Sequence, residues 1–165
     1  MGFEDVLADW DGEEVVVRFN EPTQTWMFIG VHSTVLGPAM GGTRMKAYAA
    51  PGDGLSDVLR LSQAMTFKQA AAHLPYGGGK AVLAVPTVPP PGSSARREIL
   101  LRYAALVDSL HGTYVTAADM NTGGGLSRGP FSCVMTATTP VAASALAVSN
   151  RTILPLAMVE WTSAA

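Results

Sequence analysis

Charge is scarce in this chain. Of its 165 residues, 15% are Asp, Glu, Lys or Arg and 48% are apolar, against roughly 25% charged in an ordinary soluble domain, so disorder driven by excess charge is excluded. Neither sign dominates. Eleven basic and thirteen acidic residues leave a formal charge of -2, which gives no field that would draw nucleic acid or an anionic membrane. Cysteine is nearly absent too: Cys133 stands alone and cannot close an internal disulfide. The opening Met1-Gly2-Phe3-Glu4-Asp5 lacks both the basic start and the apolar core of a secretory leader. A reducing cytoplasm is the expected compartment, and the length corresponds to about one domain.

The shortage of charge is uneven. Residues 123–165 carry only Arg128, Arg151 and Glu160, and Gly129–Asn150 is a run of twenty-two residues with no charge at all. Such a run is long enough to raise a membrane span. Pro140 interrupts it, seven of the nineteen residues from Phe131 to Ser149 are Ser, Thr or Pro, and no aromatic belt or basic flank frames it. An irregular, loosely packed tail is expected there, after a folded part over residues 1–122.

Within the folded part, Glu13–Phe19 and Thr25–Val31 are β-branched and aromatic runs joined by Asn20-Glu21-Pro22-Thr23, which reads as a hairpin. Apolar spacing through Leu55, Val58, Leu59, Leu61, Met65 and Ala72 predicts a helix over Asp53–Leu74, with Asp53 and Asp57 near its electrically favourable start. Gly77-Gly78-Gly79 reads as a turn into a buried strand, Lys80–Val85, which Pro86–Gly92 terminates. Ser93 and Ser94 offer N-caps for a second helix that Gly112 stops, and Thr113–Ala117 supplies a further strand. Strands alternating with helices imply an α/β fold: a mostly parallel or mixed sheet, helices on both faces, opened by an antiparallel hairpin.

The chain has three lysines, and two occupy unusual places. Lys68 lies three residues after Met65 and four before Ala72, so it is expected to project from the apolar stripe towards the core, where an unpaired ammonium is costly. Lys80 is expected at the end of a buried strand, where open α/β sheets place their sites. It reads either as a lysine snorkelling from an edge or as a base whose pKa is lowered by burial or by Lys68. Asp119 and Asn121 fall together at another strand end, as a turn cap or as site residues. Two patterns are excluded: Gly77–Lys80 lacks the glycine and hydroxyl of a phosphate loop, with Leu74 and Ala81 in their places, and Arg128 stands where Gly123–Gly125 would need the last glycine of a dinucleotide fingerprint. His32, His73 and His111 have no metal-ligand spacing, and no metal is expected.

Four motifs occur in order: Gly37-Pro38-Ala39-Met40-Gly41-Gly42-Thr43-Arg44, Met65-Thr66-Phe67-Lys68, Pro75-Tyr76-Gly77-Gly78-Gly79-Lys80, and Tyr114-Val115-Thr116-Ala117-Ala118-Asp119-Met120-Asn121-Thr122. Together with Trp10-Asp11-Gly12 and the hairpin, they resemble the N-terminal substrate and dimerisation domain of the glutamate/leucine/phenylalanine/valine dehydrogenases, over about residues 8–122. The resemblance implies oxidative deamination of an L-amino acid to a 2-oxo acid, linked to NAD, by a homo-oligomer. It implies that Lys68 pairs with the substrate α-carboxylate, that Lys80 activates water, and that Asp119 shuttles protons to and from the amino group. Gly41 and Gly42 would lie close to the substrate, Ala117 would line its pocket, and Asn121 would lie towards the cofactor. Met40 stands where glutamate-specific members have a lysine, so an apolar amino acid is expected, because a carboxylate buried against methionine lacks a partner. The N-terminal stretch and the Pro86–Gly92 linker incline the resemblance towards the phenylalanine branch.

After Thr122 the family continues into a nucleotide-binding domain with a glycine fingerprint, and nothing beyond Gly123 resembles it. The chain therefore reads as a truncated dehydrogenase without the domain that orients the nicotinamide. A different class is a non-catalytic fragment or assembly module that keeps the oligomerisation surface.

Overall fold

A computed structural model of the chain describes residues 3–122; the expected tail over 123–165 lies outside the described residues. A short helix α1 (Phe3–Ala8) precedes β1 (Glu14–Asn20), β2 (Thr25–Ser33), β3 (Ala39–Lys46), α2 (Pro51–Ala71), β4 (Gly77–Ala84), α3 (Ser94–Asp108) and β5 (Tyr114–Ala118). The hairpin is as expected: β1 and β2 pair from Glu14 with Val31 to Asn20 with Thr25. Its turn is a single 3₁₀ turn, Glu21–Thr23, capped by the Asn20 side chain and closed by Gln24 at φ 50°.

The five strands lie in the order β1-β2-β4-β3-β5. β2 is antiparallel to both β1 and β4, while β3 is parallel to both β4 and β5, so the sheet is mixed. The chain passes from β3 through α2 to β4, then back from β4 through α3 to β5 on the far side of β3. Two right-handed crossovers running in opposite directions place their helices on opposite faces. One core layer joins Met27, Ile29, Met45, Ala81 and Leu83 to Ile99, Tyr103, Leu106 and Val107 of α3. The other joins Phe28, Val82 and Ala84 to Leu55, Val58 and Leu59 of α2. Each of these buried aliphatic or aromatic side chains contributes about 1.5–3 kcal/mol relative to exposure.

Three details depart from the sequence expectations. Gly77-Gly78-Gly79 is the first part of β4 rather than a turn, because each glycine is pressed by a neighbour. A Cβ on Gly77 would lie 1.8 Å from the Ser33 carbonyl oxygen, on Gly78 2.0 Å from Thr66 Oγ1, and on Gly79 2.8 Å from the Tyr114 ring. Helix α2 ends at Ala71 rather than Leu74 because His73 turns to φ 53°. Lys68 does not face the core. The buried stripe of α2 runs through Leu55, Val58, Leu59, Ser62 and Gln69, whereas Met65 is only half-buried and Ala72 and Lys68 are exposed. Ser62 can lie in the core because its hydroxyl donates to the Leu59 carbonyl and rests against Gly30. The stripe was thus misjudged from apolarity alone, and at 100° per residue Lys68 lies well round the helix from it. No helix among the described residues is long and apolar enough to cross a membrane.

Candidate active site

Helix α2 packs mainly over β4 and β2, touches β3 lightly, and among the described residues leaves the rest of the same face of β3 and β5 open. Side-chain alternation decides what occupies that open face. Thr43 and Thr116 point to the α3 side, where their hydroxyls and that of Tyr103 form a buried triangle at 2.6–2.8 Å. Met40, Gly42 and Arg44 of β3 and Ala117 of β5 therefore point to the other side, and all four are half-buried. Burial pushes the Tyr103 hydroxyl up to about 12, so the triangle is uncharged.

Lys80 sits mid-strand in β4, not at its end, and its side chain is buried. Its ammonium crosses over β3 and meets Asp119, just beyond β5, with Nζ 2.5 Å from Oδ2. Gly42 makes that crossing possible. A Cβ there would lie 2.8 Å from Asp119 Cβ and 3.4 Å from Lys80 Nζ, so any side chain on Gly42 would occupy the space of the pair. Gly41 has a different reason to be glycine: its Cβ would lie 1.7 Å from the Gly79 carbonyl oxygen. Burial alone would push the Asp119 carboxyl up. The hydrogen bond and charge of Lys80, the Met120 N–H and the charge of Arg44 outweigh that and hold it below the usual carboxylate range.

The turn after β5 is fastened to β3. Thr122 Oγ1 donates to the Thr43 carbonyl and accepts from the Asp119 N–H, and Asn121, at φ 57°, donates its side-chain amide to the Met45 carbonyl at 3.0 Å. Arg96 of α3 donates to the Asn121 carbonyl. The Asn121 amide N–H is therefore committed to the fold, and its part in the site is to fix the direction of Asp119.

Lys80, Asp119 and Gly42 thus come together in direct contact, with Met40 and Ala117 beside them on one face. Lys68 stands apart from that contact, exposed on α2 with no polar partner among the described residues. Two further constellations were not foreseen. Arg44 and Asp57 bond at 2.9 Å next to Asp119, and strict alternation from Gly42 would have placed Arg44 on the open face. Buried His32 bridges Asp11 and Thr66 at 2.8 Å on either nitrogen, a contact across 34 residues that no local pattern announces. It seats Thr66, and with it the C-terminal half of α2, against Gly78.

Among the described residues no group of three His, Cys, Asp or Glu is placed to hold a metal ion. The glycines of β4 are paired in the sheet and crowded by Ser33, Thr66 and Tyr114, so they do not form a phosphate-binding loop.

A family model described as "Glu/Leu/Phe/Val dehydrogenase, dimerisation domain" matches residues 17–125. The chain belongs to this family. Relatives of the chain are amino-acid dehydrogenases. It is 40% identical over 123 residues to phenylalanine dehydrogenase of Lysinibacillus sphaericus, a match covering 74% of this chain and 31% of the relative. It is 42% identical over 110 residues to valine dehydrogenase of Streptomyces coelicolor, covering 67% and 29%. The crystal structure of L-tryptophan dehydrogenase from Nostoc punctiforme superimposes with a TM-score of 0.63 at 37% identity, covering 71% of this chain and 34% of that one. The chain thus spans about a third of the length of the dehydrogenases it matches, and the match lies on the part that carries Lys80, Gly42 and Asp119.

Proposed function

We propose that this chain forms the substrate-binding part of an amino-acid dehydrogenase, one that oxidatively deaminates an apolar L-amino acid to its 2-oxo acid. The observation that carries the reading is the pair of buried Lys80 and half-buried Asp119, held over Gly42 on an open sheet face. An amino acid placed there presents its α-amino group to Asp119, a carboxylate positioned to take up and return a proton. Lys80 is placed to orient and polarise a water against the imino carbon. The exposed ammonium of Lys68 receives the substrate α-carboxylate. Gly42 lets the substrate approach the backbone, whereas Gly41 faces the Gly79 carbonyl and serves the sheet. Met40 and Ala117 offer only apolar surface to the side chain, which favours phenylalanine, valine or leucine over glutamate.

The hydride acceptor, NAD by relation to the family, belongs to a separate nucleotide-binding domain. That domain also closes the site from water. A homo-oligomer fits the family's dimerisation role, and among the described residues β1 offers an unpaired edge with Val17 and Phe19 exposed. The same edge favours a second reading, a non-catalytic assembly module.

The test is to mix the purified chain with a separately produced nucleotide-binding domain from a relative and follow NADH formation from L-phenylalanine, L-valine and L-leucine. Turnover that requires both components, and that Lys80→Ala abolishes, is the expected result. An assembled but inactive mixture would favour the assembly module.

A further inference from the structure

Arg44 is the one group at the site left with an unmet need. Its NH1 donates to Asp57 Oδ2 at 2.9 Å. Its Nε–H is buried yet has no hydrogen-bond partner among the described residues, and it lies 3.7 Å from Asp119 Oδ2. A buried donor left unbonded is costly, of the order of 1–3 kcal/mol, and such a group in a native structure calls for an explanation.

The neighbours explain why Arg44 stays in place while its Nε waits. Asp57 is engaged on both oxygens: Oδ2 accepts from Arg44 NH1 and from the Tyr48 hydroxyl at 2.8 Å, and Oδ1 accepts from Arg60 NH2 at 2.7 Å. It anchors one end of the guanidinium through NH1 and makes no bond to Nε. On the other side, Asp119 Oδ2 is held at 2.5 Å by Lys80 Nζ, which draws the carboxylate just out of reach of Nε. A shift of well under 1 Å would exchange one partner for the other.

We propose that Arg44 is a positioning residue that provides a second seat for the Asp119 carboxylate. When Lys80 turns towards a substrate or water, Asp119 moves onto the Arg44 Nε–H, and stays ionised and aimed at the same place. No bond is made or broken beyond the exchange of hydrogen bonds, and no net charge moves. The role in turnover rests on the reading of Lys80 and Asp119 given above; the seat itself does not. The charged groups facing Asp119 are Lys80 from β4 and Arg44 from β3, with Asp57 of α2 behind Arg44.

The test is NMR on the full chain, without amino acid or cofactor. In Lys80→Ala, Asp119 has only the Arg44 seat. The Arg44 Nε–Hε resonance is expected to move downfield and its solvent exchange to slow severalfold, a change that a purely structural ion pair with Asp57 would not produce. The Asp119 13Cγ titration midpoint in Lys80→Ala is expected to rise by about one pH unit when Arg44→Met is added, the effect of removing a nearby opposite charge. Because Arg44→Met leaves Asp57 short of a cation, the triple variant with Asp57→Asn is measured alongside, and the same rise is expected. An Arg44 resonance unmoved by Lys80→Ala, or an Asp119 midpoint indifferent to Arg44→Met, overturns the proposal. Failure of amino-acid binding would sink the dehydrogenase reading and leave these results standing.

Discussion

At the scale of single residues, the site depends on an absence. Lys80 and Asp119 lie on strands separated by β3, and the pair closes only because Gly42 has no side chain between them. Gly42→Ala puts a methyl group 2.8 Å from Asp119 Cβ, inside any real contact distance, so the carboxylate must swing away from Lys80. Overpacking of this kind costs about 1–3 kcal/mol. The expected outcome is a Tm lowered by several degrees and amino-acid affinity reduced at least tenfold, read by calorimetry beside circular dichroism. An affinity equal to that of the parent chain would contradict the geometry. Much of this was legible in the sequence, since the motif resemblance named Lys80, Asp119 and both glycines. What it did not contain was the distinct reason for each glycine: one is fixed by a strand backbone and the other by a side-chain pair in space.

At the scale of elements, the local patterns were informative where an element's own composition decides its state. The hairpin runs, the Ser93 cap of α3 and the apolar block of β4 fall where propensity and capping place them. Strand β3 went unread because Met40-Gly41-Gly42-Thr43 carries weak β propensity; it is a strand by virtue of its neighbours β4 and β5. The glycine triplet misled for the same reason, and α2 was turned wrongly because its buried stripe includes Ser62 and Gln69. That helix is tied to β3 by Asp57. Burial pushes the Asp57 carboxyl up, but the hydrogen bonds from Tyr48, Arg60 and Arg44 win and set it below the usual carboxylate range. A carboxyl whose pKa is lower folded than unfolded contributes stability that is present above the unfolded value, about 3.9, and lost as pH falls through the folded value. Asp57→Asn should therefore lower stability at pH 7 by about 2 kcal/mol, the contribution of hydrogen bonds to a charged group. The variant should also lose less further stability than the parent between about pH 4 and pH 2. Urea titrations across that range check both statements, and parallel curves for variant and parent would show that Asp57 titrates alike in the folded and unfolded chains.

At the scale of the whole molecule, the fold explains how the candidate site comes to lie on one face of the sheet. Opposed crossovers place α2 and α3 on opposite faces, and α2 packs mainly on β4 and β2, reaching β3 through the Asp57–Arg44 ion pair. Among the described residues, one face of β3 and β5 is otherwise left uncovered, with the Lys80–Asp119 pair and half-buried Met40, Ala117 and Arg44 on it. Such a surface is a floor without a roof. The match to about a third of each relative accords with a floor that another domain covers, and binding to the floor alone is expected to be weak. The central claim is that this floor is an amino-acid site, with Lys68 taking the α-carboxylate. The most direct measurement is calorimetric titration of L-phenylalanine, L-valine and L-glutamate into the chain and into its Lys68→Ala variant. The account predicts millimolar binding of the apolar amino acids, weaker binding of glutamate, and a loss of at least tenfold in the variant, as expected when a charged hydrogen bond of about 1.5–3 kcal/mol is removed. Binding that is unchanged in Lys68→Ala, or that favours glutamate, would contradict it.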